Sequence, residues 1–500
     1  MSALQAACLW LALITLDERI RELLASSGRY LVTCGSLIKI YTWIEEFPKP
    51  EAFRKRFIIQ VIVVSLIFIL QKCIRKNADA SGERMNSNII IVVIEQHSDE
   101  SSFKWELRSN AVNEPHYSLD DLTHLDDRIE ANIDGLRVAE YDGWEICIGS
   151  LSIAETGNIF TTALLGFENK SEDRIQTVFD ASIDNPELCR GIISALGWLP
   201  FPQAGPFLQS YAMSDSSALR RIGIAGYTVH RQDPGKIIHD ALISNDTMLK
   251  ARTLKAVGEL GKLDLAAAVQ DSLNDQNETC RFYAAWSSAL LGSMAGVPVL
   301  HAIAENDGPY AEKACMTALR RMPIGEGLEW QRMIARNPKS LRTALIGAGA
   351  IGDPVLIPWL IEYMAIPELA RVAGESFSMI TGLDLAYEDL EGEWPEGFEA
   401  GPTENPEDED VDMDPDEDLP WPEPALIQEW WHKNRSNFKT GVRHLCGSPV
   451  TEEQCQHVLR YGYQRQRAAA AMDLAMMHPG QPLFNVKAPG FRQQKLLGLV

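Results

Sequence analysis

The sequence lacks the short motifs by which common catalytic and metal sites are recognised. Its nine cysteines include no Cys-x-x-Cys pair, and its ten histidines include neither a His-Glu dipeptide nor two histidines spaced four apart. A P-loop and a Gly-x-Ser-x-Gly elbow are missing as well. The odd number and the scatter of the cysteines favour reduced thiols and a cytoplasmic location. We therefore predict a protein that is not an enzyme and that binds neither a metal ion nor a cofactor.

Basic residues are scarce, because 46 Lys and Arg face 69 Asp and Glu and the net charge is −23. Phosphate backbones are bound by clustered Lys and Arg, so this composition argues against a nucleic-acid partner. The imbalance is local, since residues 372–432 contain 20 acidic residues and no Lys or Arg. Nine of the twelve residues in 407–418 are acidic, and Pro and Gly flank them. We predict an extended, solvated, disordered insertion over residues 384–424, because like charges repel and the segment has little apolar area to bury.

One long apolar run, FIIQVIVVSLIFIL at residues 57–70, lies within the first 84 residues. It is shorter than the roughly 20 residues that span a bilayer, and its basic flanks on both sides leave an orientation undecided. Three interpretations stay open: a membrane anchor, a short buried helix, or a stretch that is not native because translation starts at Met85. Residues 1–16 lack a basic start and a cleavage site, so a secretory signal is not expected.

A basic residue recurs about every 30 residues through the middle of the chain. Each opens an Ala-rich helical stretch, followed by a turn of small residues and a second apolar helix, as in RTALIGAGAIGDPVLIPWLIEYM at 342–364. No segment alternates between apolar and polar residues as strands do. We expect the recurring side chains to bond neighbouring carboxylates or carbonyls along a stack of helices. This basic register consists of Arg190, Arg221, Arg252, Arg281, Lys313, Arg342 and Arg371.

The period resembles the short form of the HEAT repeat, in which helix pairs stack around a continuous core. We predict an all-α, HEAT-like α-solenoid with helical caps, supported by an N-cap signal at Ser118 and a capping box from Thr451. Its parts are an N-terminal extension (1–84), an N-terminal cap (85–155), the repeats (156–383), the acidic insertion (384–424) and a repeat-like C-terminal cap (425–500).

Several short motifs between residues 89 and 497 occur in an order that is similar to one particular family. They include Glu95-Gln96-His97, Asp134-Gly135-Leu136-Arg137, Gly143-Trp144, Ser378-Met379-Ile380-Thr381-Gly382, Trp430-Trp431, Gln464-Arg465-Gln466-Arg467 and Ala488-Pro489-Gly490-Phe491. Together they resemble an uncharacterised proteobacterial family of HEAT-repeat proteins, often encoded near type VI secretion genes. The resemblance implies an accessory role in secretion, carries over no catalytic residue and leaves out residues 1–84.

Three further patterns imitate ligand sites. The GAGAIG segment at 347–352 fits a dinucleotide fingerprint, but a helix precedes it where a strand is needed, so we interpret it as a repeat turn. Alternating Asp residues at 408–414 lack the Gly and Glu of a calcium loop, which favours a solvated acidic run. His97 and His116 have no ligand partner at a useful spacing, so we predict structural roles for both.

Two groups of side chains are candidates for recognising a protein partner. Tryptophans amid Pro and acidic residues anchor segments in grooves, although they can equally pin the insertion onto its own helices. The basic C-terminal end can bind an acidic partner or, at high effective concentration, the acidic segment of the same chain. The candidates are Trp394, Trp421, Trp430, Trp431, Arg465 and Arg467.

We therefore expect a non-enzymatic scaffold or adaptor whose second helices form a concave face that grips an extended protein partner. Two alternatives stay open. One is a scaffold tethered to a membrane through residues 57–70, and the other is an enzyme of lyase or hydroxylase type built on a HEAT scaffold.

Overall fold

The computed structural model describes residues 91–306, 308–401 and 414–500, which belong to a single unit of the chain. The predictions for residues 1–84, including the apolar run at 57–70 and a start at Met85, lie outside the described residues. Within the described ranges, no helix is both long enough and apolar enough to cross a membrane.

The predicted all-α class is confirmed, since helices make up most of the described chain and the strands form one short antiparallel ladder that pairs His444 with Pro449. The elements are α1 (Ile91–Ala111), α2 (Leu119–Val138), α3 (Glu140–Ser150), α4 (Thr156–Asn169), α5 (Glu172–Ser182), α6 (Cys189–Trp198), α7 (Phe201–Ala212), α8 (Ser217–Val229), α9 (Ile237–Leu242), α10 (Thr247–Leu260), α11 (Ala266–Asp271), α12 (Glu278–Leu290), α13 (Val297–Ala304), α14 (Ala311–Arg321), α15 (Ile324–Ile334), α16 (Leu341–Ile351), α17 (Ile357–Tyr363), α18 (Pro367–Thr381), α19 (Pro424–Asn434), β1 (His444–Leu445), β2 (Ser448–Pro449), α20 (Glu452–Tyr461), α21 (Gln464–Met477) and α22 (Gly490–Leu497).

Local sequence signals set many of these boundaries. Ser118 is the predicted N-cap of α2: it accepts a hydrogen bond from the backbone N–H of Asp121, whose side chain completes a capping box. Thr451 caps α20 in the predicted place, but the predicted capping box is incomplete because the Gln454 side chain donates to the carbonyl of Leu445 instead. Gly261 and Gly352 end α10 and α16 with φ of 64° and 70°, a left-handed conformation that glycine adopts without a steric penalty.

Helices from α4 onward alternate between two layers. The first helices of successive pairs, α4, α6, α8, α10, α12, α14, α16 and α18, lie against one another in chain order, and α1 precedes them. Shorter second helices pack on the first helix of the next pair, as α7 does on α8 and α13 on α14. Apolar side chains between the layers form two extended buried clusters, one from Ile94 to Ile222 and the other from Ile224 to Trp431.

Part of the predicted insertion packs on the helices. Glu391 bridges Pro422 as a short antiparallel contact, while Leu390 and Leu419 are buried. Residues on both sides of 402–413 therefore bury apolar side chains that the composition predicts to be solvated. The reason is that the buried Arg371 pairs with Asp414 and neutralises its charge at the end of the acidic run. Composition does not reveal this ion pair.

Candidate functional site

The most distinctive feature of the molecule is the path of its C-terminal segment, residues 443–494, along the C-terminal ends of the first helices. Arg443 donates to the carbonyl oxygens of Ala350 and Leu319 at 2.8 and 2.9 Å. The backbone N–H of Leu483 donates to the carbonyl of Glu259 at 3.0 Å. The last carbonyls of a helix have no partner inside it and carry partial negative charge, so these donors satisfy and stabilise the helix ends.

The same segment reaches the N-terminal helices. Arg108 of α1 forms a buried ion pair with Asp126 of α2, and it donates to the carbonyl of Ala488 at 3.0 Å. Asp126 also accepts the backbone N–H of Gly490 at 2.6 Å. A contact between residues more than 360 positions apart therefore fixes α22 on α2.

Arg465, a predicted partner-binding residue, joins the two ends of the stack. Its guanidinium donates to the carbonyl of Asn113 after α1 at 2.8 Å and to the Glu375 carboxylate in α18 at 2.9 Å. Glu114 lies 3.9 Å away. Arg465 therefore links the loop after α1 to α18, and its hydrogen bonds are made within the chain.

Arg467 has no exposed side-chain surface and cannot contact a partner in this fold. It donates to the carbonyl of Leu459 at 2.8 Å and to the amide oxygens of Gln464 and Gln493. Burial lowers the pKa of this guanidinium to about 10, which leaves it charged at neutral pH. Its place in the candidate set is therefore wrong, because four polar residues in a row looked like surface and are in fact a satisfied interior network.

The candidate tryptophans separate into two sites. Trp431 is buried and contacts Phe438, while Trp430 packs edge-on against Phe377 of α18. Both hold α19 on the preceding helices, so the burial of Trp431 removes it as a surface candidate. Trp430 is half-buried and packed against the core.

Trp394 and Trp421 lie together with Phe398 at the edge of the insertion. The three rings have centroid separations of 5.1, 5.4 and 6.0 Å, and Trp394 keeps 51% of its surface exposed. The Arg371 guanidinium lies 4.5 Å from the Trp421 ring and contacts Trp394 as well. We call these three rings the aromatic cluster.

The basic register makes the contacts predicted for it at several positions. Arg342 binds Asp416 through two hydrogen bonds of 2.6 and 2.7 Å and also reaches Glu312 on the preceding first helix. Arg371 pairs with Asp414 at 2.6 Å. The described end of the acidic run therefore binds two arginines of the basic register. Arg465 does not take part in these ion pairs, because it binds Glu375.

The patterns that imitated ligand sites are structural where they are described. Residues 347–351 lie within α16, and Gly352 ends that helix. His97 hydrogen-bonds Asn132 at 3.0 Å, and His116 lies beside Tyr117. In the described residues, no group of His, Cys, Asp and Glu could hold a metal ion. The alternating aspartates before residue 414 lie outside those residues.

Two carboxyl groups meet where the end of the acidic run touches the loop after α1. Burial and a hydrogen bond with Asp418 raise the pKa of Glu114 to about 7, although Arg465 opposes the shift. Glu375 faces the same group and adds negative charge. The protonated form of Glu114 is therefore favoured where the end of the acidic run lies beside the loop after α1.

The stability of this contact should fall with rising pH. Because the folded-state pKa lies above the ordinary value of 4.5, the folded chain binds the proton more tightly, and the benefit is lost between about pH 4.5 and about pH 7. Glu114→Gln mimics the protonated form. We measure the free energy of unfolding of the variant and of the wild type with urea at both pH values. From pH 4.5 to pH 7 the difference between them should shift in favour of the variant by about 2 kcal/mol, a value reduced because solvent screens part of the interaction. A difference that is the same at both pH values, or one reproduced by Glu155→Gln at an exposed site, would contradict this assignment.

Comparison with known proteins gives no family assignment. No protein-family model matches the sequence, and no curated protein that was compared matches it either. The similarity to secretion-associated HEAT-repeat proteins therefore stays a prediction from the short motifs.

Proposed function

We propose that the protein is a non-enzymatic scaffold of the HEAT-like α-solenoid type that binds a protein partner through the aromatic cluster. The single observation that supports this is the exposed ring of Trp394, held beside Phe398 and Trp421 on a buried arginine. Exposed aromatic side chains on a rigid base lose little conformational entropy on binding and are typical of interface anchors.

The expected mode of binding differs from a grip on the concave face. The C-terminal ends of the first helices α10, α14 and α16 are occupied by residues 443–494 of the same chain, so these ends are closed to a partner. A partner is therefore expected to dock at the aromatic cluster, which shares Arg371 with Asp414 of the acidic run. An accessory role in secretion rests on the resemblance of the motifs alone.

The proposal is tested by affinity capture from a lysate of the native cells. We expect a protein retained by the wild type to be lost, by about tenfold or more, with Trp394→Ala. Tyr461→Ala is the matched control, because it removes another exposed aromatic side chain from α20. Equal capture by the wild type and both variants, with all three folded by circular dichroism, would refute the aromatic cluster as the binding site.

A further inference from the structure

A pocket lies between the middle of α1 and the chain that leads into α4. Its volume is about 410 Å³, at the lower end of the range of about 300–1,000 Å³ that is typical of ligand sites. Three carboxylates and two apolar side chains line it, and no Lys, Arg or His is among the described lining residues. On the α1 side lie Asp99, Phe103 and Glu106, and on the α4 side lie Ile153, Glu155 and Asn158.

The start of α4 is fixed directly on α1. Gly157 lies so close to α1 that a β-carbon there would clash with the carbonyl oxygen of Ser102. The backbone N–H of Gly157 donates to the Glu106 carboxylate at 2.6 Å, whereas Glu155 at the N-cap makes no side-chain cap. The partial positive charge at the start of α4 therefore already has a carboxylate partner from α1, which leaves the pocket acidic.

Asn158 brings an unused hydrogen-bond donor to the wall of this pocket. The residue is 4% exposed, and its side-chain nitrogen Nδ2 is buried with no hydrogen-bond partner among the described residues. A buried donor without an acceptor destabilises the folded chain, so such groups are rare in native proteins. A ligand that places a carbonyl oxygen beside Asn158 would satisfy this donor.

Two apolar side chains are exposed at the same pocket. Phe103 keeps 67% of its surface exposed, and Ile153 keeps 55%. Leu107, one turn after Phe103 on α1, is exposed as well. Apolar surface that is rimmed by polar residues is typical of an interaction site. An apolar side chain of a ligand would cover this surface and remove it from water.

We propose that this pocket, the α1–α4 pocket, binds a segment of a partner protein that carries Lys or Arg next to an apolar residue. The three carboxylates attract the cation, while Phe103 and Ile153 pack against the apolar side chain. Asn158 donates to a backbone carbonyl of the segment. A free diamine supplies the charge alone, whereas a peptide matches the carboxylates, the apolar surface and the buried donor together. The site is formed by other residues than the aromatic cluster and does not depend on it.

The test uses short synthetic peptides, with acetylated and amidated ends, and the full-length protein. The basic peptide is Gly-Leu-Arg-Leu-Gly. In one control peptide glutamate replaces the arginine, and in the other serine replaces both leucines. Titrations followed by saturation-transfer difference NMR detect weak ligands of a large protein. We expect the basic peptide to bind at least about tenfold more tightly than either control peptide.

Two surface substitutions at the pocket are paired with control substitutions elsewhere. Glu155→Gln and Phe103→Ser should each weaken binding of the basic peptide by about threefold or more. Glu172→Gln removes an exposed carboxylate from the start of α5, and Tyr461→Ser removes an aromatic ring that is 64% exposed on α20. Both control variants should bind the basic peptide as the wild type does.

Asn158→Leu separates ligand binding from a structural role. Its amide nitrogen has no partner among the described residues, so the variant should unfold at a urea concentration no lower than the wild type does. It should nevertheless weaken binding of the basic peptide by about threefold or more, because the donor for the peptide carbonyl is gone. A purely structural asparagine would give lower stability and unchanged binding.

Three outcomes would overturn the proposal. The first is that the basic peptide binds no more tightly than the glutamate peptide at low ionic strength. The second is equal binding to the pocket variants and the control variants, which would indicate attraction to the acidic run instead. The third is that agmatine, a small cation without an apolar side chain, binds as tightly as the basic peptide, which would make the pocket a site for small amines.

Discussion

Asp126→Ala should lower the free energy of unfolding by about 3–5 kcal/mol, because it leaves the Arg108 charge buried without its partner. The side chains of the pair are 9% and 2% exposed, so water cannot replace the lost carboxylate. The substitution also removes the acceptor of the Gly490 backbone N–H, which ties α22 to α2. Urea unfolding followed by circular dichroism gives the change in stability.

Asp127→Ala is the matched control, since it deletes the same carboxyl group one residue later at an exposed position. We expect it to change stability by less than about 0.5 kcal/mol. A loss of similar size in both variants would show that the buried pair does not hold the C-terminal segment on the N-terminal helices.

Gly261→Ala should be the more damaging of two chemically identical changes in glycines with positive φ. A β-carbon at this position would lie 2.6 Å from the carbonyl oxygen of Gln481, and φ is 64°. Gly235 has a φ of 67°, and a β-carbon there would meet nothing within 4 Å. Both alanines incur the left-handed backbone cost of about 1–2 kcal/mol.

The difference between the two variants measures how tightly residues 478–487 are held on α10. We expect Gly261→Ala to lose at least about 2 kcal/mol more than Gly235→Ala, because the obstacle is backbone that cannot rotate away. Limited proteolysis should also cut residues 478–487 faster in Gly261→Ala. Equal stability and equal cleavage of the two variants would mean that the segment yields easily.

Much of the helical architecture is accessible from the sequence. The recurrence of basic residues and the small-residue turns predict helix pairs, and the first helices do lie against one another in order. Capping residues such as Ser118 and Thr451 are local signals that act over a few positions, so they predict helix starts correctly.

The path of the C-terminal segment could not be predicted in this way. Its contacts are largely with backbone carbonyls, which every residue possesses, so Arg443 and Leu483 leave no pattern that names their acceptors. Residues 479–489 form no helix, so no helical period in the sequence marks their path. Arg467 is misleading because its amide partner Gln493 lies 26 positions away in the chain, and polar residues in series normally indicate surface.

The candidate site is predictable in part. Trp394 and Trp421 stand out by their setting among Pro and acidic residues, and they do form one cluster. The contact of Arg371 with these rings could not be predicted, because the basic register gives the helix position of Arg371 but not its neighbours.

Synthesis of the chain from its N-terminus gives the Arg108–Asp126 pair a further consequence. This pair needs Ala488 and Gly490 to complete its hydrogen bonds, so α1 and α2 are synthesised more than 350 residues before the segment that completes their contacts. A chain that terminates prematurely before residue 443 would expose a row of unpaired helix ends as well as a half-satisfied buried charge. Truncated chains would therefore be less stable than the full-length chain. Proteases that cleave unfolded segments would degrade them first.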